Sequence, residues 1–194
     1  MTEPVHTYRF ATVDDAAELV EIYRPYIETS ITTEYVCPTV EEFAQRIAER
    51  VDIYPYLVVE EDGVPMGYAY ASRLFARKGY DWAVELSVYL SVDCRGRGLG
   101  RGLYTRLLSL LSMQGVRSAH AKVTEPNEKS DRLHQSLGFR TVGVMDNVSY
   151  KVGQWHNITH YEKLIGDFST EPEPLKLMAE LDPEAVAKVL KGLN

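Results

Sequence analysis

The sequence predicts a mixed α+β domain in which helices flank a mostly antiparallel central sheet. Its patterns follow the order strand, two helices, three strands, helix, strand, helix and two strands. A doubly wound sheet needs strictly alternating strands and helices, so this order excludes one. Glu61-Asp62-Gly63 is a hairpin signal, and two alternating segments near the end predict another antiparallel pair, Phe139 to Val148 and Trp155 to Leu164.

The first half of the chain predicts one strand, two helices and a hairpin. His6 to Ala11 has the composition of a strand, and Thr12 with Asp15 three residues later predicts a helix start. Thr39 and Glu42 form a second capping-box pair, ahead of an apolar helical face. The hairpin strands are predicted at Tyr56 to Glu60 and Met66 to Ala71.

The second half predicts a strand that runs directly into a glycine-rich loop and a helix. The strand is predicted from Tyr80 to Val92. Leucines spaced four apart predict the helix after the loop: Leu99, Leu103, Leu107 and Leu111. A strand from Val116 to Val123 and a short helix from Asn127 to Leu137 follow, and Gly138 predicts a left-handed helix end.

Residues 1–168 are predicted to form one domain, and residues 169–194 a C-terminal extension with a short helix. Pro172 and Pro174 interrupt the preceding pattern. Asp182-Pro183 then supplies an N-cap and a proline at the first helical position. We expect this extension to pack on the domain or on a partner.

The composition restricts the function classes. A net charge of −7 over 194 residues argues against nonspecific binding to nucleic acid or to an anionic membrane. No apolar run approaches the length of a membrane span, and Met1 to Thr7 lacks the layout of a secretory signal. Two cysteines, Cys37 and Cys94, are too few to staple a secreted domain, so a cytoplasmic location is expected.

Four glycines and three arginines lie between Arg95 and Gly102, in the loop between strand and helix. Such a loop presents backbone N–H groups and a helix N-terminus to a phosphate. The nucleotide-hydrolase spacing fails because Arg101 occupies the place of its second glycine. The dinucleotide fingerprint fails because Leu103 occupies the place of its third glycine.

Arg95-x-x-Gly98-x-Gly100 resembles the Gln/Arg-x-x-Gly-x-Gly/Ala signature of the GCN5-related N-acetyltransferase (GNAT) superfamily. Asn127, Ser130, His134 and Leu137-Gly138-Phe139 are similar to its next motif. Other segments resemble the phosphinothricin acetyltransferases and related amino-acid N-acyltransferases: Tyr26-Ile27-Glu28-Thr29-Ser30, Ala76-Arg77, Tyr80-Asp81-Trp82, Leu103-Tyr104-Thr105 and Gly153-Gln154-Trp155-His156. The resemblance covers Tyr8 to Asp167 and implies the acyl-CoA N-acyltransferase fold.

The resemblance implies acetyl-CoA as the donor and no metal. Its pyrophosphate would meet the loop amides, with added charge from the arginines: Arg95, Gly96, Arg97, Gly98, Leu99, Gly100 and Arg101. The strand backbone at Val88, Tyr89 and Leu90 would pair with the pantetheine arm, and the Leu90 amide would face the thioester oxygen. Asn127 is expected to contact pantetheine and Ser130 the phosphate side, although Asn127 also suits a helix N-cap.

Two residues are candidate catalysts. Glu85 interrupts an apolar strand where phosphinothricin acetyltransferases carry a glutamate, so we expect it to deprotonate the acceptor amine, directly or through water. The alternative is a carboxylate at the sheet edge. His134, seven residues after Asn127, either protonates the departing thiolate or only contacts the cofactor or helix.

The acceptor is less defined. Arg77 and Tyr80 match subfamily positions that handle the substrate carboxylate or a neighbouring acidic group, and Glu34 is either an amine contact or a surface charge. Phe75 stands where the herbicide-resistance enzymes carry lysine, and Thr33-Glu34 stands where related acyltransferases often carry Phe-Glu. An amino acid, or its sulfoximine or sulfone analogue, is therefore as plausible an acceptor as phosphinothricin.

The predicted function is N-acetylation of a small amino-acid-like amine in a ternary complex with acetyl-CoA. Two alternatives are acetylation of a protein or peptide amine, and a non-catalytic acyl-CoA sensor. The resemblance also implies a homodimer, with the acceptor pocket completed across its interface.

Overall fold

The computed structural model describes residues 6–94 and 96–193. These residues form a seven-stranded sheet in the order β1-β2-β3-β4-β5-β7-β6. The strands are β1 (His6–Phe10), β2 (Tyr56–Glu61), β3 (Val64–Arg73), β4 (Ala83–Leu90), β5 (Ser118–Thr124), β6 (Arg140–Lys151) and β7 (Gln154–Leu164). Neighbouring strands run antiparallel except β4 and β5, which run parallel. The predicted mixed, mostly antiparallel sheet is confirmed.

Helices cover both faces of the sheet. They are α1 (Ala16–Ile27), α2 (Val40–Val51), α3 (Leu99–Gln114), α4 (Glu128–Ser136) and α5 (Pro183–Lys191). On one face, α1 and α2 bury Leu19 and Ile47 against Tyr68 of β3. On the other face, α3 buries its leucine row, including Leu103 and Leu107, in the larger core cluster. This burial of one helical face supplies most of the stability of such helices.

The sequence signals for helix starts are confirmed at three helices. The Thr39 side chain accepts a hydrogen bond from the Glu42 amide, which makes the predicted capping box at α2. Asn127 caps α4, and Asp182 caps α5 with Pro183 at the first helical position. In each case a side-chain oxygen satisfies a backbone donor that the first turn leaves unpaired.

The strand predicted from Tyr80 to Val92 is wrong at both ends. Lys78–Tyr80 and Val92–Cys94 form short 3-10 turns, and β4 covers only Ala83–Leu90. Near Tyr80 the backbone closes local hydrogen bonds instead, with the Asp81 amide donating to the Lys78 carbonyl at 3.1 Å. Hydrophobic alternation does not reveal such a local turn, because three residues are too few to show the period of three that distinguishes a 3-10 turn from a strand.

The parallel contact between β4 and β5 is short. The register pairs Ala83 with Ser118 and ends where Glu85 faces His120. Beyond this point the structure pairs no further residue of β4 with β5 in the described chain, while β4 stays paired with β3 up to Leu90. The two strands therefore diverge, and one edge of β4 is left for another partner.

The C-terminal tail packs back over the α3 side of the domain. Trp82 Nε1 donates to the Glu173 carbonyl at 2.7 Å, and Gln114 Nε2 donates to the Lys176 carbonyl at 2.8 Å. Arg106 Nε donates to the Leu190 carbonyl at 2.9 Å, and apolar residues of α5 join the larger core cluster. Within the two described ranges, no helix combines the length and the apolar character needed to cross a membrane.

Candidate active site

A cleft of about 610 Å³ opens where β4 and β5 diverge. β4, β5, the glycine loop and α4 form its walls. Nine of the predicted cofactor-binding residues line it: Val88, Tyr89, Leu90, Gly96, Gly98, Gly100, Arg101, Asn127 and Ser130. The sequence motifs on either side of the strand gap therefore face one common space.

The glycine loop turns the start of α3 toward this cleft. Gly96 and Gly98 have φ values of +83° and +82°, which side-chain-bearing residues rarely adopt. Gly98 is the N-cap of α3 and offers no side chain to the first helical N–H groups. These groups and the positive end of the helix dipole are therefore available to an anion.

Gly102 has a different role from the glycines of the loop. A Cβ atom at Gly102 would lie 2.1 Å from the Tyr8 hydroxyl oxygen, well inside van der Waals contact. This glycine lets β1 and α3 approach each other, and it does not line the cleft.

The arginines of the loop point in different directions. Arg101 lines the cleft, and its Nη1 donates to the Ser136 carbonyl at 3.2 Å, which ties α3 to α4. Arg97 forms an ion pair with Glu61 on β2 and does not line the cleft. Arg95 lies outside the described residues. The Leu99 side chain is buried in the core, which leaves only its backbone for a ligand.

The Leu90 amide, predicted to face a thioester oxygen, has a partner in this structure. The Ser91 amide donates to Met66 of β3, so the Leu90 amide points to the opposite, cleft side of β4. There it donates to the Tyr26 hydroxyl at 3.0 Å, and that hydroxyl donates to the Leu90 carbonyl at 2.6 Å. Tyr26 was not among the predicted site residues, because its position in α1 fits the buried helical face.

His134 is buried on the cleft side of α4. Its Nδ1 lies 2.8 Å from the Ser130 carbonyl oxygen, which can only accept, so Nδ1 carries the proton. Nε2 is then a bare acceptor, and among the described residues it has no hydrogen-bond partner. Burial lowers the pKa of His134 below its ordinary value of 6.5, so the ring is neutral near pH 7.

Glu85 stands at the point where β4 and β5 separate. Its Oε2 lies 2.7 Å from Nζ of Lys122, and Lys122 lines the cleft. The Glu85 and Lys122 side chains are 25% and 37% exposed, so water reaches both. Lys122 was not among the predicted site residues, although the alternation in His120-Ala121-Lys122 signals polar side chains on one face of β5.

The predicted acceptor residues do not line the cleft. Arg77 and Tyr80 lie in the loop between β3 and β4, where Tyr80 is 46% exposed and packs on Phe75. Glu34 forms an ion pair with Arg46 at 2.9 Å. It lines a separate cavity of about 260 Å³ whose walls include five tyrosines. The structure therefore does not bring Glu34, Arg77 and Tyr80 together in one chain.

Lys151 fixes the segment that carries Glu34. It is 4% exposed, and its Nζ donates to the carbonyl oxygens of Thr32 at 3.0 Å and of Glu34. Lys151 lies at the end of β6, so this buried ammonium holds the β6–β7 hairpin against the loop after α1. Its role was not predicted, because nothing in the local sequence pattern marks this lysine as buried.

Comparison with known proteins agrees with this geometry. Residues 9–159 match the family model described as an acetyltransferase (GNAT) domain. The phosphinothricin N-acetyltransferase of Streptomyces viridochromogenes is 38% identical over 176 residues, which cover 89% of this chain and 94% of that protein. An L-methionine sulfoximine/L-methionine sulfone acetyltransferase of Salmonella typhimurium is 36% identical over 155 residues, which cover 79% and 91% of the two chains.

A solved structure has the same architecture. The phosphinothricin acetyltransferase of Sinorhizobium meliloti, in complex with acetyl-CoA, superposes with a TM-score of 0.82 at 32% identity. The superposition covers 92% of this chain and 96% of that one. The glycine loop, the diverging strands and the similarity to these proteins agree, and this chain belongs to the GNAT acetyltransferase family.

Proposed function

We propose that this protein transfers the acetyl group of acetyl-CoA to the amine of a small amino-acid-like acceptor, by direct attack in a ternary complex. The observation that carries this proposal is the cleft between β4 and β5, which connects an anion-binding loop to Lys122, the ion-pair partner of Glu85. The acceptors named for the relatives are phosphinothricin, methionine sulfoximine and methionine sulfone. We take this chemical class as the acceptor class here.

The residues present fit acetyl-CoA. Gly96, Gly98 and Arg101 face the cleft and would hold the pyrophosphate, with the uncapped start of α3 adding backbone donors. The edge of β4 from Val88 to Leu90 has no β5 partner and would pair with the amides of the pantetheine arm. The bare His134 Nε2 would accept a hydrogen bond from an N–H group of that arm. Asn127 and Ser130 complete this wall.

The chemical step needs a neutral amine, because an ammonium group has no free electron pair. We propose that Glu85 takes the proton, directly or through a water molecule. The nitrogen then attacks the thioester carbonyl carbon, and the carbonyl re-forms as the carbon–sulfur bond breaks and coenzyme A leaves as the thiolate. One of the two protons still on the nitrogen passes to this thiolate, which gives the amide and the thiol of coenzyme A. The Leu90 amide would stabilise the developing oxyanion once the thioester oxygen replaces the Tyr26 hydroxyl on it.

A thiol-release screen tests the function. With acetyl-CoA as donor, we expect turnover with one or more of the amino acids, methionine sulfone, methionine sulfoximine and phosphinothricin. Peptides with a free N-terminus are the comparison acceptors. Turnover on peptides alone would favour a protein acetyltransferase, and tight acetyl-CoA binding without turnover on any amine would favour a sensor.

Glu85→Gln tests the proposed base. We expect turnover near neutral pH to fall by about 10²- to 10⁴-fold, the usual contribution of a positioned base. The dissociation constant of acetyl-CoA should change little, since Glu85 is on the acceptor side. Glu21→Gln is the matched control, because Glu21 is also ion-paired but lies on α1, 62% exposed. Equal turnover in the wild type and Glu85→Gln would refute the assignment.

His134→Phe separates the two proposed histidine roles. Removal of the Nε2 acceptor should raise the acetyl-CoA dissociation constant by about 5- to 20-fold, the effect of one lost hydrogen bond, with a smaller change in kcat. The wild type should also lose affinity as the pH falls through the lowered His134 pKa, where Nε2 gains a proton. In His134→Phe the affinity for acetyl-CoA should not fall in this way at low pH. A 10²-fold or larger fall in kcat at unchanged affinity would instead indicate a general acid.

We also propose a homodimer, with β6 at its interface. β6 is an edge strand of 12 residues, and valines along it are 45 to 47% exposed at Val142, Val144 and Val148. Long apolar edges of this kind usually have a partner. In a single chain Arg77 and Tyr80 lie away from the cleft, so as acceptor contacts they depend on the second chain.

The double substitution Val144→Asp with Val148→Asp tests the interface. We expect light scattering to give twice the 22.0 kDa chain mass for the wild type and the single chain mass for the variant. Val64→Asp is the control, because Val64 is 56% exposed on β3, far from β6 in the sheet order. A wild-type protein that elutes as a monomer, or a variant that remains dimeric, would contradict this assembly.

We also propose a cytoplasmic location, which the two free cysteines Cys37 and Cys94 support. We propose further that the acetyltransferase domain ends at residue 168 and that residues 169–194 form an extension of it.

A further inference from the structure

Lys122 is a cleft residue that the donor chemistry leaves unused. It stands on β5, two residues beyond the last pair that β5 makes with β4. Its side chain lines the cleft, and its Nζ contacts Glu85 at 2.7 Å. An ammonium that lines the cleft and a carboxylate just behind the lining therefore lie side by side, at the point where β4 and β5 separate.

We propose that Lys122 binds the α-carboxylate of the acceptor while Glu85 binds its ammonium group. An α-amino acid would then replace the ion pair within the protein by two ion pairs to the ligand. This inference rests on the proposed function, and it specifies the acceptor as a zwitterionic α-amino acid.

The charges of the ligand and the protein are complementary. In an α-amino acid the ammonium nitrogen and the carboxyl carbon share one Cα atom, so the two charges are as close as those of Glu85 and Lys122. Placed head to tail, each ligand charge meets its opposite on the protein. Every charge has a partner before and after the exchange, which avoids the cost of an unpaired charge in the cleft.

The ion pair between Glu85 and Lys122 is suited to such an exchange. The Glu85 and Lys122 side chains are 25% and 37% exposed, so both stay in contact with solvent. Ion pairs that water reaches contribute little to the free energy of folding. The lysine side chain is flexible and carries a compact charge, so its Nζ reorients without a change in the strand. Arg77, the carboxylate contact expected from the sequence, does not line the cleft in this chain.

Lys122 also provides discrimination against other amines. An amino-acid amide, a peptide N-terminus or a protein lysine brings an ammonium group without the adjacent carboxylate. Such a ligand would draw Glu85 away from Lys122 and leave two cations next to one carboxylate. The arrangement therefore favours free amino acids over peptides and proteins.

The neighbouring strand defines the surroundings of this pair. His120 faces Glu85 on β4 and Glu162 on β7, and Lys122 faces His160 on β7. Glu162 is itself ion-paired with Arg140 of β6. The Glu162 carboxylate thus has its own cation, and among these charged groups Lys122 is the one that lines the cleft.

The test compares acids with their amides. The probes are methionine, methionine sulfone and phenylalanine, each as the free amino acid and as the α-carboxamide. Binding is measured by calorimetry on the full protein saturated with coenzyme A, and kcat/KM is measured with acetyl-CoA. The variants are Lys122→Met, Lys122→Arg and the control Lys163→Met. Lys163 is on β7 in register with Ala119, which lies in the core on the opposite sheet face.

We expect the wild type and Lys163→Met to favour the acid that binds best over its amide by about 10-fold or more. Lys122→Met should raise the dissociation constant of that acid by about 10- to 100-fold, the range for a hydrogen bond to a charged group. The same substitution should change the dissociation constant of the amide by less than about 3-fold. Lys122→Arg should keep part of the preference for the acid over the amide. Unchanged acetyl-CoA affinity and unfolding temperature would show that the fold is intact.

Several outcomes would overturn the inference. One is an equal loss of affinity for acid and amide in Lys122→Met. Another is a preference for acids over amides that survives this substitution. The third is a wild-type protein that binds no acid more tightly than its amide, or binds no acid at all. Turnover of amides and acids with equal efficiency would overturn it and leave the proposed function in place. A Lys122-dependent acid preference in binding, without turnover, would support the inference and contradict the proposed function.

Discussion

The separation of β4 from β5 is the constraint on which the rest of the site depends. The strands share a register only from Ala83 to Glu85, and Glu85 is the last β4 residue in it. A sheet that remained paired along its whole length would satisfy its own backbone groups and leave no edge for a ligand. Because the pairing stops, the backbone beyond Glu85 is a template for an amide-bearing ligand. The gap also leads to the start of α3.

The packing around the gap explains why it stays open. On one side, β4 remains hydrogen-bonded to β3 up to Leu90, so it cannot swing toward β5. On the other side, β5 is paired with β7 from Ser118 to Thr124. Residues of both strands also pack against the leucines of α3 in the larger core cluster. Each strand is thus held by its outer neighbour, and the gap between them costs no secondary structure elsewhere.

Much of the donor side was predictable because backbone conformation determines it. Positive φ angles at Gly96 and Gly98 and a helix start at Leu99 follow from glycine spacing and leucine periodicity. Side-chain direction was not predictable in the same way. Arg97 belongs to the same basic cluster as Arg101, yet it pairs with Glu61, because the local sequence does not indicate which strand lies beside the loop.

Three polar contacts of the cleft and its surroundings join residues distant in sequence, so the local pattern could not reveal them. The bonds from Tyr26 to Leu90, from Lys122 to Glu85 and from Lys151 to Thr32 join residues on different elements. Each appears in the sequence as an ordinary core tyrosine or surface lysine, and only the folded sheet brings the partners together. The donor side therefore depends on short-range backbone geometry in the glycine loop. The proposed acceptor contact depends instead on which distant residues the folded sheet brings together, as it brings Lys122 to Glu85.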